Sequence, residues 1–213
     1  MKSNPFATRF VRPGELAWIA TGHDESLAAL ADSFQRQFHY RAAIVGPHGS
    51  GKSTLLEHLI PLLDSEAVWL SLRRSEQPFS KIRASTPQWS SGGVLVLDGF
   101  EQLSIWQTIR VCWMVRLRRM GLLVTCHRPS RLLPTLLTLA PTAELVQRLV
   151  TDRLAESRAL SPLDRCEWLD EMTDERRLQG WLTKERGSVR EVFMRLYDYY
   201  EDRQSSPPRS THT

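Results

Sequence analysis

The sequence predicts an α/β fold, a parallel sheet flanked by helices with a small helical lid after it. Three observations lead there. Strand-length apolar runs alternate with helical stripes from about residue 25 to residue 125. Val94-Leu95-Val96-Leu97 is continuously apolar, the pattern of a strand covered on both faces. A short strand at Arg41–Val45 runs straight into a glycine-rich loop and then into a helix. The expected organisation is a core over residues 1–140 that includes an N-terminal linker, a helical lid over 141–203, and a disordered tail over 204–213.

The chain has 213 residues, 41% of them hydrophobic and 24% charged. That is enough apolar material for one real core and excludes global disorder. No apolar run reaches the ~18 residues of a membrane span, so no membrane partner is expected. Met1–Phe6 lacks the apolar centre of a signal peptide. Cys112, Cys126 and Cys166 share no metal-ligand spacing and cannot all pair, which suits a reducing compartment. A cytoplasmic protein is the expectation. The net charge is +4, and 24 of the 28 cations are arginine. So small a surplus over a whole chain is a mixed-charge surface and no sign of nucleic-acid binding.

Taken in order, Glu25 to Phe38 carries a helical stripe of Leu27, Leu30, Ala31 and Phe34, with Asp24 as its cap. Ser53 to Leu63 is helical with Leu55, Leu56, Leu59 and Ile60 on one side, and Pro61 ends it. Ala67–Leu72 reads as a second strand. Residues 73–92 are polar and broken by Pro78, Pro87 and Gly92-Gly93, and read as a loop or partly ordered crossover. A helix from about Gln102 to Met120 places Trp106, Ile109, Trp113, Leu117 and Met120 three and four residues apart. Arg110, Arg116, Arg118 and Arg119 lie off that line, on the exposed side. Gly121–Thr125 is a fourth strand. Beyond Pro134 the patterning is helical, with a weakly extended stretch at Glu144–Val150.

The loop Gly46-Pro47-His48-Gly49-Ser50-Gly51-Lys52-Ser53 fits G-x-x-x-x-G-K-[ST], the Walker A motif of P-loop NTPases. Its glycines let successive backbone N–H groups converge on phosphate oxygens, and the following helix adds the positive end of its dipole. Lys52 reaches the β- and γ-phosphates, Ser53 is a ligand for Mg²⁺, and Thr54 sits beside the α-phosphate. His48 has no required role and is expected to face solvent.

Val94–Leu97 ends in Asp98, the Walker B pattern. An aspartate at that strand end lies beside the phosphate loop and holds Mg²⁺ through water. Glu101 follows three positions later, where the chain turns into a helix. There it can accept a proton from the water that attacks the γ-phosphate, or it can simply complement the helix terminus.

With both motifs in place the chain resembles ATPases of the additional-strand class of P-loop proteins, near the AAA+ and STAND groups. Asp98-Gly99-Phe100-Glu101 is similar to the D-G-hydrophobic-acid Walker B of NACHT-type STAND ATPases, whereas AAA+ proteins more often place the glutamate directly after the aspartate. Leu122–Pro129 resembles their sensor 1 strand, which implies contacts near the γ-phosphate for Thr125, His127 and Arg128. Gly187-Ser188-Val189-Arg190-Glu191 resembles the stretch that opens the last lid helix, with Arg190 as sensor 2. Asn4-Pro5-Phe6, with Phe10-Val11-Arg12-Pro13 behind it, is similar to the linker such ATPases fold beside the adenine. The resemblance also allows self-association, and no arginine is marked as an intersubunit finger.

Ser91-Gly92-Gly93 abuts Walker B directly and is no transporter signature, and the absence of N-K-x-D favours ATP over GTP. Leu196 and one or two of Tyr197, Tyr199 and Tyr200 are expected to pack the last helix rather than stack on bases. The leading expectation is a Mg²⁺-dependent ATPase acting as a switch or motor. The alternatives are a small-molecule kinase, with Arg128 and Arg131 on the acceptor, and an ATP-dependent module for a DNA or protein partner with little turnover. Glu101 separates them, because a water-activating carboxylate serves a hydrolase and harms a kinase.

Overall fold

The computed structural model describes residues 4–7, 18–19, 26–73, 77–157 and 160–205. The chain divides into two units, Trp18–Ala140 and Met1–Ala17 with Pro141–Thr213.

The first unit is built on β1 (Arg41–Val45), β2 (Ala67–Ser71), β3 (Val94–Asp98), β4 (Gly121–Cys126) and β5 (Thr135–Thr138), all parallel in the order β2-β3-β4-β1-β5. The period of two sorts each strand between two cores. Ala42, Ile44, Val94, Val96 and Leu123 pack with Leu55, Leu56 and Leu59 of α2 (Lys52–Leu59) and with Leu30 and Phe34 of the first helix. Ala43, Val45, Leu95, Leu97, Leu122 and Val124 pack with Ile82, Trp89, Val111 and Val115 on the other face. The three leucines of α2 are fully buried, each contributing about 1.5–3 kcal/mol. They fix the phosphate-loop helix to the sheet. Among the described residues no helix is long and apolar enough to cross a membrane.

Several elements differ from the sequence expectation. Helix α1 (Leu27–Asp32) is capped by Ser26, whose hydroxyl accepts from Ala29 N–H, and a π-helical turn continues it over Ser33–Gln37; Asp24 lies outside the described residues. Pro78 opens a helix, α3 (Pro78–Ser85), rather than breaking the chain. At the first helical position a proline's missing N–H costs nothing, and fully buried Ile82 anchors the helix. The extended segment after Pro134 is β5, not Glu144–Val150, which is helical. Its four residues pair with β1 through a register shift, too short for a readable period.

Helix α4 (Ile105–Leu117) begins at a capping box between Ser104 and Gln107. Its buried residues are Thr108, Val111 and Val115, whereas Trp106, Ile109, Trp113 and Leu117 are exposed. The stripe that dominates the sequence therefore faces outward along the helix, while its last member, Met120, lies beyond the helix and is buried. Apolar residues occupy both sides of this helix, and the 3₁₀ turn at Phe100–Gln102, with Phe100 buried, leads into it.

The second unit holds α5 (Ala143–Glu156), α6 (Pro162–Met172), α7 (Glu175–Lys184) and α8 (Val189–Ser205). Thr142 and Asp174 cap α5 and α7. Leu196 and Tyr200 are fully buried, while Tyr199 donates to Glu171 Oε1 at 2.5 Å. Helix α8 includes Gln204 and Ser205, so it runs two residues into the segment expected to be tail; residues 206–213 lie outside the description.

The N-terminal segment, grouped with the core by sequence, packs in this helical unit. Phe6 is buried edge-on against Phe193 and Tyr200, at ring distances of 6.1 and 6.2 Å. Asn4 Nδ2 donates to Glu201 Oε1 at 2.8 Å, and Arg153 Nε donates to Pro5 O at 3.2 Å. Phe10–Pro13 lie outside the described residues.

Candidate functional site

Strand order places the site. With β4 inserted between β1 and β3, the carboxyl ends of these three strands adjoin, the edge at which parallel sheets bind ligands. The first supplies the loop Gly46–Gly51, the second Asp98, and the third Thr125, Cys126 and His127.

Gly46 follows β1, and its N–H donates to Cys126 O at 3.1 Å. A Cβ there would lie 2.7 Å from Ser50 Oγ and 2.9 Å from Leu139 Cβ, so only glycine fits. Pro47 and Gly49 are half-buried, and Gly51 precedes α2, whose first residue is Lys52. The orphan N–H groups of the helix start thus open onto the loop. The Ser50 hydroxyl is buried and has no hydrogen-bond partner, which leaves it available to a ligand.

Lys52 is buried, with its ammonium donating to Gly46 O at 2.7 Å and Pro47 O at 2.6 Å. Burial lowers its pKa below the usual lysine value, and the nearby Glu101 and Asp98 carboxylates push it back up. Ser53 Oγ donates to Asp98 Oδ2 at 2.7 Å. Thr54 is half-buried on the same turn.

Asp98 is held on its other oxygen as well. The Thr125 hydroxyl donates to Asp98 Oδ1 at 2.6 Å and accepts from Gly99 N–H at 2.8 Å. Gly99 sits at φ 94°, and a Cβ there would lie 2.8 Å from Leu72 O. A side chain there would disturb the turn that carries Glu101 away from the strand. The role of Thr125 as a clamp on Asp98 was not legible in the sequence, because it depends on β3 and β4 being neighbours. Thr125→Val keeps the shape but leaves a buried carboxylate oxygen and an N–H unpaired, at a cost of about 1–3 kcal/mol. A lowered thermal-unfolding midpoint checks this.

Glu101 Oε1 lies 3.3 Å from His127 Nε2, and the His127 ring stands edge-on to His48 at 5.8 Å. His48 is exposed, as expected, but it has this ring contact, which the sequence reading did not assign. His127 therefore meets Glu101, Thr125 meets Asp98, and Arg128 is exposed. Arg190 is exposed at the second position of α8 in the helical unit, where Ser188 accepts from Glu191 N–H.

Cys126 lies beneath this cluster. Burial first, and then Glu101, push its thiol up to about 12, while Lys52 opposes the shift. At pH 8 only about 10⁻⁴ of it is thiolate, so iodoacetamide is expected to label exposed Cys166 and spare Cys126. Mass mapping of the alkylated peptides checks this.

No protein-family model matches the sequence, and no curated protein matches it. Solved structures do resemble the fold. Two variants of Thermotoga maritima RuvB each align over 91% of this chain and 66% of theirs, at 16% identity and TM-score 0.56. The chain thus spans just under two thirds of the RuvB length. Caenorhabditis elegans PCH-2 aligns over 83% of this chain and 67% of its own, at 15% identity and TM-score 0.45. At such identities the likeness concerns the fold. The parallel five-stranded sheet flanked by helices, with the glycine-rich loop between β1 and α2, is the fold that this likeness to RuvB shows.

Proposed function

We propose that the chain binds ATP with Mg²⁺ and hydrolyses it to ADP and phosphate, as a switch or motor acting on a protein or DNA partner. One observation carries this reading: Lys52, Ser53, Asp98 and Glu101 converge at the carboxyl ends of β1, β4 and β3, around a loop with an unpaired buried hydroxyl. The residues fit the ligand. Ser53 and Asp98 are hard oxygen donors of the kind Mg²⁺ takes. Gly46–Gly51 and the start of α2 offer N–H groups to phosphate oxygens.

Mg²⁺, when bound, supplies positive charge that neutralises the transferring phosphoryl group. Lys52 contributes a buried cation held by two carbonyls. Thr125 fixes the Asp98 carboxylate through one oxygen and leaves its hydrogen bond with Ser53 on the other. Glu101 takes a proton from the attacking water, and His127 holds the Glu101 carboxylate in place until then. Arg190 as a sensor of the γ-phosphate, Asn4–Phe6 as part of an adenine pocket, and assembly with further copies rest on the resemblance to AAA+ proteins alone.

Incubation of the full chain with Mg-ATP tests the reading. Release of ADP and inorganic phosphate in equal amounts, lost on chelation of the metal, is the expected result. ADP formed with the phosphate on an acceptor would replace hydrolysis with phosphoryl transfer.

A further inference from the structure

The outward side of α4 is apolar where a surface helix is ordinarily polar. At about 100° per residue, Thr108, Val111 and Val115 occupy one side and are buried. Ile105, Trp106, Ile109, Trp113 and Leu117 fall on the opposite side, with exposures of 62, 78, 43, 61 and 63%. Scattered exposed apolar residues are ordinary, but a contiguous strip along a 13-residue helix marks an interaction surface. Two tryptophans seven residues apart supply the large, rigid anchors on which interface energy concentrates.

The strip has a charge signature. Residues 105–120 contain no aspartate or glutamate. Arg110 borders the strip on one edge, Arg116 lies within it between Ile105 and Ile109, and Arg118 and Arg119 follow at its end, all exposed. No carboxylate among the described residues pairs with any of the four. Arg110 lies over the Phe79 ring at 5.3 Å, and Arg118 lies over Trp89 at 5.4 Å while donating to Thr86 O at 2.8 Å. These aromatic contacts pre-order two guanidinium groups without neutralising them. The strip then runs onto a shallow, open depression lined by Trp89, Ser91, Leu117, Arg118 and Arg119.

We propose that this face of α4 docks an acidic amphipathic helix of a partner protein. The partner's apolar residues, spaced three and four apart, lie along Trp106, Ile109, Trp113 and Leu117. Its carboxylates meet Arg110 at the edge and Arg116 within the strip, and its acidic end lies over the depression beside Arg118 and Arg119. Charge decides among occupants. A second copy laid face to face would set these arginines against one another with no acid to relieve them. A bilayer would have to take Arg116 in with the strip, since its direction falls between those of Ile105 and Ile109. A protein helix can put a carboxylate at that point.

Two labelled helical peptides with one apolar face, flanked by glutamates in one and by lysines in the other, test this by fluorescence anisotropy with the full chain. The glutamate peptide is expected to bind at least about tenfold tighter, the worth of two or three interfacial ion pairs. Trp106→Ser with Trp113→Ser should abolish binding, and Arg110→Glu with Arg116→Glu and Arg119→Glu should reverse the preference. All five side chains are exposed, so unchanged thermal unfolding certifies each variant's fold. Equal affinity for the two peptides, binding to neither, or a preference that survives the arginine reversal overturns the proposal. So does Trp106-dependent partition into phosphatidylglycerol vesicles that exceeds peptide binding, which would assign the face to a membrane. A dimer in sedimentation that Trp106→Ser dissolves would assign it to a second copy.

Discussion

Lys52→Ala is expected to lower ATP affinity by at least about 100-fold while leaving the fold intact. The ammonium makes two hydrogen bonds to loop carbonyls and sits in a buried, low-water position. Hydrogen bonds from a charged donor contribute about 1.5–3 kcal/mol each, so losing two of them on phosphate oxygens spans 10²-fold or more. Titration calorimetry on both proteins measures it, and equal affinities would refute the site. The same variant has a signature without ligand. Burial lowers the Lys52 pKa in the folded chain, so the unfolded chain binds that proton more tightly. Between the lowered value and 10.5, unfolding takes up a proton, and stability rises with pH across that window. That increment is expected in thermal melts of the wild type and not of Lys52→Ala.

Glu101→Gln is expected to retain ATP binding and to lose about 10²–10⁴-fold in phosphate release, the contribution of a positioned general base. The amide keeps the size of the side chain beside His127 but takes no proton. The comparison is kcat against ATP affinity: a fall in kcat alone supports the base, whereas unchanged turnover makes Glu101 a helix-terminus residue. His127 enters the same test. Because it lies 3.3 Å from the Glu101 carboxylate, His127→Ala frees that group. It should lower kcat while leaving Lys52-dependent binding as it is.

The parts legible in the sequence share a physical property: each is written in contiguous residues. The loop Gly46–Ser53 announces itself because tight backbone turning, a cation and a hydroxyl must follow one another without insertions. Val94–Asp98 does so because a strand buried on both faces needs an unbroken apolar run. The helix stripe at Leu30, Ala31 and Phe34, the break at Pro61 and the packing of Leu196 and Tyr200 were legible for the same reason.

What tertiary structure decided was neighbourhood. The clamp of Thr125 on Asp98 and the approach of His127 to Glu101 join residues about 26 positions apart. Their pairing needs β4 beside β3, and no local pattern states strand order. Phe6 looked like part of a linker to the core, yet it is buried against Phe193 and Tyr200, nearly the whole chain away. Helix α4 is the sharpest case. Periodicity ranks its outward stripe above the buried one, because tryptophan and isoleucine weigh more than Thr108, Val111 and Val115. Amphipathic reasoning assumes that water takes the polar side. Here the sheet takes the smaller apolar side, where Val111 and Val115 join the core cluster of Leu95, Leu122 and Val124. The sequence by itself thus determined the glycine-rich loop, the strand that ends in Asp98 and most of the helices and strands around them, though not α3 or β5. Only the folded sheet decided which of those residues touch, and which apolar face is left for something else to cover.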